Sequence, residues 1–196
     1  MKAMLLLVVL CGMLSLFSNR VLAALYDDDK KDLTKGDLND QDYWWTKFHM
    51  MMLDKAIEQK QPEGRIGFNL VSTRERLDKL VEKYPKHEEL AKWKKHADEV
   101  NKKIDPNADR SVGGWKPGCP WEESNFAQAW VNYHWGKMLI DNKQISDAKS
   151  IWSNVKQNFD ILTAKDRLKD YPDDLKKWVE DNKDDVDKTS EELKKK

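Results

Sequence analysis

The sequence predicts an all-α domain of packed helical hairpins interrupted by one long loop. Three observations carry this. Apolar residues recur at intervals of three and four through most of the chain. Period-two runs of branched residues bounded by turn signals, the mark of strands, do not occur. Proline and glycine gather mainly between the periodic stretches, where they punctuate helices.

Residues 1–23 read as a cleavable signal peptide. Lys2 supplies a positive start, and Met4 to Phe17 form an apolar run broken only by Gly12 and Ser15. Val21-Leu22-Ala23 before Ala24 then offers small residues to a signal peptidase, so cleavage is expected after Ala23. The run is short for a bilayer span, and the expected product is secreted or periplasmic with no transmembrane segment after cleavage. Of the 35 basic residues, Lys2 and Arg20 leave with the signal, so 33 face 35 acidic ones and the mature net charge is −2. That balance argues against nucleic acid as a partner. Cys11 leaves as well, and the remaining Cys119 is either a buried inert thiol or half of an intermolecular disulfide.

Residues 24–41 are expected to be a flexible charged linker, since they are polar and contain Asp27-Asp28-Asp29-Lys30-Lys31. A single all-helical domain is expected over 42–186. Its first helix begins near Asp42, carries Trp45, Phe48, His49, Met52 and Ala56 on one stripe, and fades before Pro62. Ser72-Thr73-Arg74-Glu75 has the form of a capping box, and Leu77, Leu80, Val81 and Tyr84 follow it on one face. Pro85 ends that helix; the next carries Leu90, Trp93, Ala97, Val100 and Ile104 and completes a hairpin.

Between residues 105 and 122 the period disappears, and Pro106, Gly113, Gly114, Pro117, Gly118 and Pro120 mark a long loop. Helical signal returns at Ser124 with Phe126, Ala129, Trp130 and Tyr133, and a second apolar face implies a helix sandwiched between neighbours. Ser146 is a candidate cap for a strongly amphipathic helix carrying Ala148, Ile151, Trp152, Val155, Phe159 and Leu162. Leu175, Trp178, Val179 and Val186 imply a last docked helix, with 187–196 as a charged tail that frays.

The stretch from Asn132 to Asp160 resembles a tetratricopeptide repeat, in which a Gly on the first helix is matched by a small residue on the second. Here Gly136 and Leu139 pair with Ala148 and Trp152, while Val155 and Asp160 depart from the pattern. The resemblance implies close backbone approach at Gly136 and Ala148, and protein or peptide binding on a concave face. The helical hairpins are therefore expected to pack either as a short repeat-like array or as an irregular bundle.

The sequence offers little for catalysis or cofactors. GxSxG, HExxH and phosphate-cradling glycine loops are absent. No metal site is expected: His96 with Glu99 makes one pairing at one-turn spacing, whereas zinc needs three or four converging ligands. Met50-Met51-Met52 beside His49 could suggest haem, but no attachment motif accompanies them, and no cofactor is expected. Cys119 with His134 is the one nucleophile pairing the order of residues allows, and a non-enzymic protein is the expectation. His87 and His96 are expected on a solvated helix flank, with His49 and His134 bordering the core.

Trp115 and Trp121 lie outside the helical period, so they either fold back as a lid or line a ligand surface. The expected binding surface is a groove bordered by the 105–122 loop and the helix beginning near Ser124, with Trp115, Lys116, Trp121, Trp130 and His134 as partner-contacting residues. A protein or peptide is the expected partner. A carbohydrate or small molecule held by the loop tryptophans, and a structural envelope component joined through Cys119, are the alternatives.

Overall fold

The computed structural model describes residues 33–105, 120–164, 167–169 and 173–196, with backbone alone at 120–123. Among the described residues there are six helices and no strand: α1 (Gln41–Glu58), α2 (Glu63–Lys83), α3 (Glu88–Asn101), α4 (Pro120–Asp141), α5 (Ile145–Leu162) and α6 (Asp173–Lys195). Consecutive helices pack as hairpins, α1 on α2, α2 on α3, α4 on α5 and α5 on α6, and α1 against α4 joins the two halves. The core is rich in aromatics where the halves meet: Phe48 and Trp44 of α1 lie against Phe126 and Trp130 of α4.

The α1–α2 and α4–α5 turns use one device. Lys60 and Lys143 both take the left-handed backbone conformation, at φ 51° and 59°. In each turn the lysine N–H donates to the carbonyl three residues back, and the following glutamine N–H donates to the carbonyl five back, Ala56 in one case and Leu139 in the other. These paired bonds satisfy carbonyls left open at a helix end, an arrangement that usually recruits glycine.

Three helix starts lie away from the expected positions. α2 begins at Glu63, directly after Pro62, rather than at the Ser72 capping box. Mid-helix, the Thr73 hydroxyl donates to the Asn69 carbonyl at 2.8 Å, the alternative use of a threonine that cannot cap. α4 begins at Pro120 instead of Ser124, because proline is well suited to a first helical turn. Trp121 thus belongs to the backbone of a helix and not to a loop. α5 starts after Gln144, with Ser146 exposed in its first turn and capping nothing.

Both charged ends are docked. In the lead-in, Leu38 is buried, Asp37 accepts from the Tyr43 hydroxyl at 2.7 Å, and the Glu88 N–H donates to the Thr34 carbonyl. Asp40 caps α1 by accepting from the Asp42 N–H at 2.9 Å. Its other oxygen accepts from Lys83 at 2.9 Å and from the Tyr84 hydroxyl at 3.0 Å, tying α1 to the end of α2. Residues 33–40 are therefore part of the packed domain, not a linker. The 187–196 segment likewise continues α6 to Lys195 and buries Thr189 and Leu193, because two inward residues suffice to hold a helix that is otherwise charged.

The α5–α6 hairpin follows a seven-residue spacing. Ala148, Trp152, Val155, Phe159 and Leu162 of α5 are buried at alternating intervals of four and three. Leu175, Val179, Val186, Thr189 and Leu193 of α6 fit the same alternation, with Asn182 at the remaining seam position. That rhythm keeps one narrow seam of each helix facing the other, as in a coiled coil. α4 lies along one side of this pair. The Tyr133 hydroxyl donates to Asp185 at 2.8 Å, Lys137 pairs with the same carboxylate at 2.7 Å, and the Tyr133 and Trp178 rings meet edge to face.

Candidate functional site

The residues expected to contact a partner separate into two groups. Trp115, Lys116 and Cys119 lie outside the described residues, as does the side chain of Trp121, so the 105–122 loop surface is not among the described features. Trp130 and His134 are described: Trp130 is a core residue and His134 borders the core, partly buried. Trp130 is 9 % exposed and packs against Trp44 and Phe48, so its ring is not available as a surface anchor.

His134 is stacked on Trp44 with 5.2 Å between ring centres and 11° between planes, and it lies 4.3 Å from Trp130. Tyr133 and Trp178 close around it. Burial pushes its imidazole down to about 4; the nearby Lys47 charge adds to this and Asp37 opposes it. His49 sits similarly against Trp45 and Phe48 and is pushed down to about 4 by burial, then by Arg76 and Arg65. Both rings are neutral packing elements near neutral pH, and their position beside core aromatics agrees with their spacing.

The other histidines differ from expectation in part. His87 is 1 % exposed rather than solvated, because its Nε2 pairs with the Gly36 carbonyl at 2.9 Å as the docked lead-in folds over it. His96 faces outward but pairs with Asp54 of α1 at 2.8 Å, not with Glu99. Among the described residues no three His, Cys, Asp or Glu side chains converge as a metal would require. Met50 and Met52 are buried in the core.

A polar cluster is set into the surface beside His134. The Tyr43 hydroxyl lies 2.7 Å from Asp37 and 2.5 Å from Glu89, and Lys47 pairs with Asp37. Burial and the two carboxylates push the Tyr43 phenol far up. Burial works against ionisation of Asp37, yet the hydrogen bonds from Lys47 and Tyr43 hold its carboxyl below the usual range. The Tyr43 phenol, donating between Asp37 and Glu89, ties the lead-in to α1 and α3.

A groove of about 960 Å³ open to solvent lies between α5 and α6. Ser153, Gln157, Ile161 and Ala164 of α5 and its following turn line it, while Trp152 and Leu193 beneath are buried in the seam. Charged side chains line both sides: Lys149, Lys156 and Asp160 from α5, Arg167 beyond it, and Asp187, Glu191 and Lys194 from α6. Lys156 pairs with Asp160 on its own helix and reaches Asp187 across the groove at 3.4 Å, while Lys194 pairs with Glu191 at 2.7 Å.

Sequence reasoning missed this groove. Its signal was the alternation of four and three in α6, which carries through the polar end as far as Leu193 and so places Asp187, Ser190 and Lys194 beside a seam. No helix among the described residues is long and apolar enough to cross a membrane. No family model matches this chain, no curated protein does, and no solved structure does.

Proposed function

We propose that this chain is an exported, non-enzymic helical binding protein that docks a segment of another protein in the α5–α6 groove. The observation that carries the reading is the groove itself: about 960 Å³ between α5 and α6, lined by Ser153, Ile161 and Ala164 and by charged side chains of both helices. A groove open to solvent covers too little of a small ligand, since small-molecule sites bury most of their ligand's surface, whereas a segment of another chain can lie along it. Export rests on the pattern of residues 1–23 and places the partner in the periplasm or outside the cell. The tetratricopeptide-like pairing of Gly136 with Ala148 and Trp152 is in keeping with a hairpin scaffold for protein binding.

The test is site-specific photo-crosslinking from Ser153, an exposed groove residue, in cells of the protein's own host, with Lys79 on α2 as the control position. A protein crosslinked at Ser153 and not at Lys79, and lost when Ser153 is flanked by Ile161→Glu, is the expected result. Equal labelling at both positions, or none at either, would overturn the reading.

A further inference from the structure

We draw no further inference here: the strongest candidate, the exposed apolar face that Phe68 and Val71 form on the first half of α2, carries nothing, because nothing in the structure shows what covers it.

Discussion

A Cβ built on Gly136 of α4 would stand 2.8 Å from Cε3 of Trp152 on α5. The glycine thus makes room for the indole ring itself, and not only for approach of the two backbones. The buried Trp152 Nε1 donates to the Val186 carbonyl of α6 at 3.2 Å, so one ring joins α4, α5 and α6.

Gly136→Ala should therefore destabilise the fold even though alanine favours a helix by about 1 kcal/mol. Displacing a ring held on three sides costs about 1–3 kcal/mol, so a net loss of up to about 2 kcal/mol is expected, and Gly136→Leu should prevent folding. Urea denaturation followed by far-ultraviolet circular dichroism reads the first. An unchanged midpoint for Gly136→Ala would mean that the ring can move aside.

Lys143→Gly and Lys60→Gly should each stabilise by up to about 1 kcal/mol, because both positions hold a left-handed backbone that costs a side-chain-bearing residue about that much. Gains of about 2–4 °C in Tm are expected for a domain of this size. Lys143→Ala, which keeps a Cβ, should show no such gain.

The partly buried imidazoles of His49 and His134 set an acid limit. His49 and His134 are held at about 4 in the fold against an ordinary value of 6.5, so between these values the unfolded chain binds more protons and stability falls as pH falls. On the order of 2 kcal/mol per histidine should be lost between pH 7.5 and pH 5. The depressed carboxyls of Asp37, Asp174 and Asp185 withdraw their contribution only below about pH 4, so this window belongs to the histidines. His134→Phe should remove about half of the slope when urea midpoints are measured across it.

The charged end of α6 should matter for stability. Leu193→Ala should cost about 2–3 kcal/mol, as expected for a buried leucine at a helix seam. Deleting residues 187–196 removes Thr189 with it and should cost more. If the truncated chain melts at the same temperature as the whole, these residues are not docked.

Tyr133→Phe should lower stability by about 1 kcal/mol or somewhat more, since the Asp185 carboxylate loses a donor and keeps only Lys137. Burial, and after it Asp185, push the Tyr133 phenol up, so the pair should also resist ionisation of the tyrosine. Absorbance titration of wild type against Tyr133→Phe checks this.

The apolar period of the sequence by itself determined the all-α class, the hairpin rhythm and the first helix, because three- and four-residue spacing is a local consequence of helix geometry. Ala148, Trp152, Val155, Phe159 and Leu162 could be read as one buried stripe before anything was known of their partners. Helix starts were less legible, since the Ser72 and Ser146 signals compete with what their neighbours can do: Pro62 and Pro120 open helices, and Thr73 bonds back within one. The docked ends and the groove were decided only in the tertiary structure. Leu38, His87 and Leu193 look like isolated residues in charged surroundings, and burial of each depends on chain segments distant in sequence. Trp130 and His134 likewise carry no local mark of whether an aromatic faces a partner or the core. A helix face reports its own apolarity, but which of its two flanks a neighbour covers is fixed by packing between segments, and at α5 and α6 that packing fills one trough with α4 and leaves the other open.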